Sequence, residues 1–491
     1  MSGTVSRFLP LLWLIFANAS GVMAAPLQIR VATFNSSLNR TSLGQLASDL
    51  SVTTNNQAKR IAEIIQRVRP DILLINEFDY DAANPTLALN RFHDNYLAVS
   101  QNGQPVLSYP YRYVAPSNTG IPSGFDFDNN GSVGGAIGSN AYGNDCFGFG
   151  EFPGKYSFAV YSKYPIQTAA IRSFQFFKWQ DMPGHVAPPG FYTAAELAVF
   201  RLSSKNHVDL PIEVKPGHVL HLLASHPTPP AFDGGEDRNG RRNHDEIRLW
   251  ADYISNAAYL RDDAGVSGGL AGEQRFVILG DMNADPLDGD SYLTAINQLR
   301  NHALVNATAN PSSAGGAQQA AAQGGVNASQ TGNPAYDTSD FFDGSNGAGN
   351  LRVDHVLPSK AGFSILGSGV FWPTSSDPLY ALLFLTGSQT QGNQTTDHRM
   401  VWLDVAVTPI VSQAVRNLTA VRQGADVVLT WGTQAGVSYK IQTSADLGSW
   451  GDAPSIPVVL NVGTQTATAT DPSAGGGWDR FYRVVCTLDA P

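Results

Sequence analysis

In Phe276-Val277-Ile278-Leu279-Gly280-Asp281-Met282-Asn283-Ala284-Asp285-Pro286, a short apolar run passes directly into a group of carboxylates and amides. The apolar part is too short for a helix and fits a buried strand, so its polar successors belong at a strand end. The pattern recurs along the chain. Leu27 to Phe34 leads into Asn35, Asp71 to Ile75 into Asn76-Glu77, and Val219 to Ala224 into Ser225-His226-Pro227. Phe158 to Tyr161 and Val401 to Val407 read as further strands. Between them, Ile61, Ile64, Ile65 and Val68 fall on one face of a helix that Pro70 stops, and Ile247, Trp250, Ala251 and Ile254 fall on another. Strands alternating with amphipathic helices predict a layered α/β fold.

Composition narrows the function. The chain has 491 residues, of which 43% are hydrophobic, so it can bury a large core. Lys and Arg number 31 against 41 Asp and Glu, for a net charge of −10. A broad electrostatic grip on nucleic acid needs the opposite sign, so any phosphate recognition must be local. Cys146 and Cys486 are the two cysteines, too few for a disulfide scaffold or a cysteine-rich zinc site.

At the N-terminus, Arg7 precedes an apolar run from Phe8 to Ala17 and then small residues up to Ala24. This is the layout of a cleaved signal peptide over residues 1–24 and predicts a secreted or periplasmic protein. The run is shorter than the ~20 residues that span a bilayer, and no later stretch is long and apolar enough for a transmembrane segment. Residues 25–409 read as the main domain. From Asn306 to Asn350 the chain is rich in Ala, Gly, Gln, Asn and Ser and reads as a long surface loop inside it. Residues 410–491 carry short alternating runs between Gly-containing turns, which predicts a small β-sandwich module. That pattern resembles the fibronectin-type-III-like modules appended to secreted bacterial enzymes, which implies binding to a surface or polymer.

Two further strand-end groups complete the polar set, Arg352-Val353-Asp354-His355 and Thr396-Asp397-His398-Arg399. Carboxylates, amides and imidazoles at successive strand ends suit a hard divalent cation beside general acid–base groups. In this order, Asn35, Glu77, His226, Asp281-x-Asn283, Asp354 and Asp397-His398 resemble the endonuclease/exonuclease/phosphatase superfamily of metal-dependent phosphoesterases. The resemblance spans about Leu27 to Val407. It implies a four-layer α/β sandwich, with two packed mixed β-sheets flanked by helices and the site at one rim. It further implies Glu77 and Asp397 as metal ligands, Asn35 as an amide serving metal and phosphate, and Asp281 as the group that prepares the attacking water, held by Asn283. His398 would stand beside the scissile phosphate with Asp354 fixing it, and His226 would be a second histidine of the site. The implied cofactor is Mg²⁺ or Mn²⁺, with Ca²⁺ an alternative, and the implied state is a monomer. The implied activity is hydrolysis of a phosphodiester or phosphomonoester, with nucleic acid the favoured substrate. A sphingomyelinase-like or small-phosphate-ester hydrolase is the alternative. A secreted binding protein on an inactive scaffold is the non-enzymatic one.

Specificity is less legible. Arg238, Arg241 and Arg242 precede a predicted helix and are candidates for a substrate phosphate, or equally a salt-bridged loop beside Asp233, Glu236, Asp237 and Asp245. Phe174 to Trp179 reads as alternating strand packing rather than a membrane-docking edge. Asp126, Asp128, Asn130 and Ser132 resemble the start of a calcium loop with wrong later offsets, and read as a turn with solvated acids. His221, His244, His355 and Asp285 are expected to be structural.

Overall fold

The computed structural model describes residues 26–408, 410, 415–433, 437–445, 449–461, 463–472 and 481–488. The segment read as a signal peptide lies outside the described residues. Among these, no helix is long and apolar enough to cross a membrane.

The chain divides into two compact units, the larger formed by Gln28–Val214 and Val219–Ala406. Its strands are β1 (Gln28–Asn35), β2 (Ile72–Asn76), β3 (Tyr111–Val114), β4 (Phe158–Ser162), β5 (Arg172–Ser173), β6 (His207–Lys215), β7 (His218–Ser225), β8 (Arg275–Asp281), β9 (Ser339–Asp340), β10 (Asn350–Leu351), β11 (Asp354–Pro358), β12 (Phe363–Val370) and β13 (Val401–Val407). One mixed sheet runs β12-β13-β1-β2-β4-β3 and the other β11-β8-β7-β6-β5. The apolar runs predicted as buried strands, β2, β4 and β8, are buried at every position. β2 and β8 are covered on both faces, because β1 and β2 of the first sheet pack against β8 of the second while helices cover the outer faces.

Those helices form where the apolar spacing places them. The Asn56–Val68 helix is capped by Asn55, whose side chain accepts from the Ala58 amide, and it buries Ile61, Ile64, Ile65 and Val68 against the first sheet. The Arg238–Ile254 helix lays Ile247, Trp250 and Ile254 on the second. Together these layers are the predicted sandwich.

The register sets the strand ends side by side. β1 and β2 are parallel with Asn35 opposite Asn76, and β8 and β11 are antiparallel with Asp281 opposite Asp354. Gly280 lets β8 approach β7, since a Cβ there would meet the Ser225 carbonyl oxygen at 2.0 Å. Any side chain would push Asp281 out of line with its neighbours.

The segment expected to be a surface loop is partly ordered into the fold. It contains a helix, Ala314–Gln323, and the β9–β10 pair, and Thr338, Ser339 and Asp340 are buried. Its alanines and glycines hid this from periodicity, because the helix packs through small residues, with Gly315 pressed against the Trp372 carbonyl. Phe174 to Trp179 is not the strand expected: the only strand nearby, Arg172–Ser173, ends before it, although Phe174, Phe177 and Trp179 are buried and Phe176 is exposed.

The second unit includes the residues from Val407 onward. Its described strands are β14 (Arg416–Gln423), β15 (Asp426–Gly432), β16 (Val437–Ser444), β17 (Gly451–Asp452), β18 (Val458–Asn461), β19 (Thr466–Asp471) and β20 (Phe481–Leu488). They form two antiparallel sheets, β14-β15-β19-β18 and β17-β16-β20, around Trp431, Ile441, Ala467 and Val484. Two sheets on one small core make it an all-β domain.

Candidate active site

Asp281 lies at the centre of the polar cluster and is almost wholly buried. Its Oδ1 accepts from the Asn283 amide at 2.9 Å and its Oδ2 from Asn35 Nδ2 at 3.0 Å. Two imidazoles face the same oxygen, His226 Nε2 at 3.4 Å and His398 Nε2 at 3.5 Å. Burial works against the charged carboxylate, but the charge of His398 and the contact with His226 outweigh it and hold Asp281 well below the usual carboxylate range.

His398 is clamped from behind. Its Nδ1 lies 2.9 Å from Asp354 Oδ2, which also accepts from Thr338 Oγ1 at 2.8 Å. Phe341 packs edge-on against the ring, with centroids 5.3 Å apart. Burial lowers the affinity of this imidazole for a proton; Asp354 and Asp281 reverse that and raise it well above the ordinary histidine range. His226 has no such partner. Burial and nearby Lys205 push it down to about 4, which makes it a neutral ring at neutral pH.

Glu77 follows β2 with a left-handed backbone, φ 57°, and accepts from Asn39 Nδ2 at 2.7 Å. Burial and the neighbouring Asp397 push its carboxyl up to about 7, with Asp281 adding to the repulsion. Asp397 accepts from Ser37 Oγ at 3.4 Å, and Thr396 Oγ1 donates to the Asn35 carbonyl at 2.9 Å, which ties the last motif to the first. Glu77, Asp397 and Asp281 thus crowd negative charge into a mostly buried space. A set of hard oxygen donors that repel one another fits a divalent cation, which would lie on Glu77 and Asp397. Asp281, Asp354 and His398 also converge, offering ligand atoms within 4.8 Å of one another. There His398 already supplies the compensating charge.

Further contacts lock the cluster together. Asn76 bridges the sheets, accepting from the Asp281 amide at 3.2 Å and donating to the Ser225 carbonyl at 3.3 Å. Thr338 comes from the segment read as a loop. Asn283 Nδ2 donates to the Pro227 carbonyl at 3.1 Å and so positions the chain just after His226.

The three arginines are a correction. Arg242 is buried, with Nε on the Leu202 carbonyl at 2.9 Å and a second nitrogen on the Arg201 carbonyl at 2.9 Å. Arg238 pairs with Glu236, and Arg241 donates to the Glu236 carbonyl at 3.1 Å and stacks on Tyr292. Arg238 forms the ion pair of the salt-bridged alternative, while Arg241 and Arg242 donate to backbone carbonyls. His355, His221 and Asp285 have structural partners, among them the Ala284 carbonyl, Asp209 and the Leu287 amide respectively. Cys146 and Cys486 are free thiols. Asp126 and Asp128 are joined by Asp145 in one acidic group, whose oxygens accept from backbone amides of the same loop.

The charge pattern carries an expected pH dependence. A carboxyl raised to about 7 from 4.5 keeps in the folded chain a proton that the unfolded chain gives up. Folding therefore weakens as pH rises through that window. His398, raised above 6.5, stabilises fully below that value and loses its contribution as pH climbs through its folded pKa. In chelator-treated protein the melting temperature of the larger unit is expected to fall as pH rises from about 7 to 9, above the window in which the buried neutral His226 gains stability with pH. Millimolar Mg²⁺ is expected to flatten the lower part of that fall. A melting temperature independent of pH and of Mg²⁺ would refute this account of the cluster.

The model of the Endonuclease/Exonuclease/phosphatase family matches residues 32–398, a stretch that holds every residue of the cluster. The chain belongs to this family, whose members are in general hydrolytic phosphoesterases. Among solved structures, it is similar to an endonuclease/exonuclease/phosphatase from Beutenbergia cavernae at 13% identity and a TM-score of 0.42, covering 93% of this chain and 100% of that one. It is also similar to truncated TDP2 of Caenorhabditis elegans at 13% identity and a TM-score of 0.36, covering 77% of this chain and 98% of that one. No curated protein matches.

Proposed function

We propose that this family member is an exported, divalent-cation-dependent phosphoesterase that hydrolyses a phosphodiester by in-line attack of water. The observation that carries the reading is the pair of imidazoles on one carboxylate: Asp281 between His226 and His398, with Asp354 behind His398 and Glu77 and Asp397 alongside.

Each residue then has a task that its environment suits. Asp281 is ionised and its oxygens are fixed by Asn283 and Asn35, so it presents a directed acceptor to the water. Its proton affinity rises when an anionic phosphoryl group draws on the charge of His398. His398, protonated and oriented by Asp354, donates to a phosphoryl oxygen and stabilises the charge that develops there. His226, neutral, keeps Asp281 aimed without competing for its proton. A cation on Glu77 and Asp397, with Asn35 adjacent, would supply Lewis-acid stabilisation of phosphoryl and leaving oxygens.

The net charge of −10, together with the engagement of Arg238, Arg241 and Arg242, leaves nucleic acid as a substrate held locally at the site rather than along its length. The test is hydrolysis, with Mg²⁺, Mn²⁺ or Ca²⁺, of DNA, RNA, sphingomyelin, inositol phosphates and bis(4-nitrophenyl) phosphate. Release of product from a diester is expected. A folded protein inert on every ester would favour a binding protein on the same scaffold.

We further propose that residues 410–491 attach the enzyme to a surface or polymer and take no part in catalysis. The larger unit has its own cores, and every residue of the cluster lies in it. Truncation after about Val411 is expected to leave kcat on a soluble diester unchanged within about twofold. A truncated protein that melts cooperatively yet has no turnover would make the module part of the active unit.

A further inference from the structure

We infer that Lys205 is a further substrate-contacting residue, whose ammonium group holds a non-bridging oxygen of the phosphoryl group that Asp281 and His398 act on. The inference rests on the phosphodiester reading above and supplies the cation that Arg238, Arg241 and Arg242 do not.

Lys205 lies just before β6 and is only 6% exposed. An ammonium group has three hydrogens to donate, and burying it without partners costs several kcal/mol. Its one hydrogen bond among the described residues is to the Pro227 carbonyl, at a long 3.4 Å. That same carbonyl accepts from Asn283 Nδ2, and Pro227 directly follows His226, so the ammonium lies beside the chain that carries two residues of the site. Glu246, Asp281 and Glu77 are the acids that attract it, yet it forms no ion pair with any of them. Glu246 is instead held by the Ser204 and Thr228 amides, each at 2.6 Å.

The surroundings have the same character. His226 Nδ1, Ser204 Oγ and Thr228 Oγ1 are buried side-chain atoms with no partner. This side of the site therefore presents more polar valence than the fold consumes. A flexible, positively charged group with unused donors, next to a carboxylate that prepares water, matches the needs of a phosphoryl oxygen. The lysine would bind it as a point charge, leaving His398 free to follow the reaction.

The test uses the full-length protein with Mn²⁺. Binding of inorganic phosphate, followed by calorimetry, reads Lys205 independently of turnover. Hydrolysis of bis(4-nitrophenyl) phosphate by the wild type tests the phosphodiester reading itself. Lys205→Met is expected to weaken phosphate binding at least about tenfold and lower kcat/KM by about 10²-fold, whereas Lys205→Arg retains phosphate binding. Removal of a buried charge is expected to leave the melting temperature level or higher, which separates the effect from unfolding. Phosphate affinity and kcat/KM within about threefold of wild type in Lys205→Met would overturn the inference. Should that variant not fold, the wild-type structure with orthovanadate decides. Lys205 Nζ about 2.7–3.2 Å from a vanadate oxygen supports the contact, and Nζ left on the Pro227 carbonyl alone overturns it.

Discussion

His398→Ala is expected to lower turnover by about 10²–10⁴-fold at saturating cation, the usual worth of a positioned acid–base group. The side chain is 5% exposed and lies between Asp354 at 2.9 Å and Asp281 at 3.5 Å. Its removal leaves two buried carboxylates without the charge that compensates them, so stability falls as well. Breaking a buried pair by deleting one partner typically costs ~3–5 kcal/mol. The two effects separate with His398→Gln, which can still donate to Asp354 but carries no charge. That variant is expected to recover part of the stability and little of the rate. Turnover and denaturant unfolding measured on one preparation decide the matter. A near-wild-type rate in folded His398→Ala would remove this residue from the chemistry.

Chelation is expected to have an effect of comparable size. EDTA should suppress hydrolysis by at least about 10²-fold, with Mg²⁺ or Mn²⁺ restoring it, because Lewis-acid stabilisation of a phosphoryl group is worth several kcal/mol. The motivation lies in Glu77, whose carboxyl is driven up to about 7 by burial and by Asp397. A cation on these oxygens relieves that repulsion, so binding and the ionisation of Glu77 are coupled and affinity rises with pH across that value. Glu77→Gln should therefore weaken cation affinity and flatten its pH dependence together. Full activity in thoroughly demetallated protein would contradict the assignment.

Much of this arrangement is legible in the sequence because strand ends announce themselves. Buried runs such as Ile72 to Ile75 and Phe276 to Leu279 stop where carboxylates and amides begin, and the chain has no other place for these than a sheet rim. Asp281 and Asp354 could be paired only by the register between β8 and β11, which no local pattern encodes. Thr338 was hidden by its surroundings: a segment of small residues shows no periodicity, although its backbone is buried behind Asp354. Nothing local announces the burial of Lys205, because a lysine before a strand is ordinarily solvated and its burial is a tertiary fact. The arginines failed in the opposite sense. Three arginines within five residues at a helix start look like an anion site, but rings and carbonyls distant in sequence capture Arg241 and Arg242.

The place of β13 in the first sheet has a consequence for how such a protein is made. β13 lies between β12 and β1, and it pairs antiparallel with β1 from Gln28 opposite Ala406 to Thr33 opposite Val401. The first strand to leave the ribosome therefore waits for one of the last in the larger unit, with His398 delivered only as that partner arrives. Long-range closure of this kind is slow and cannot be completed on a partial chain. A nascent polypeptide, or one cut short before residue 398, holds neither a closed sheet nor a complete set of reactive groups. The candidate site is thus incomplete by topology until the last strand of this unit has been made.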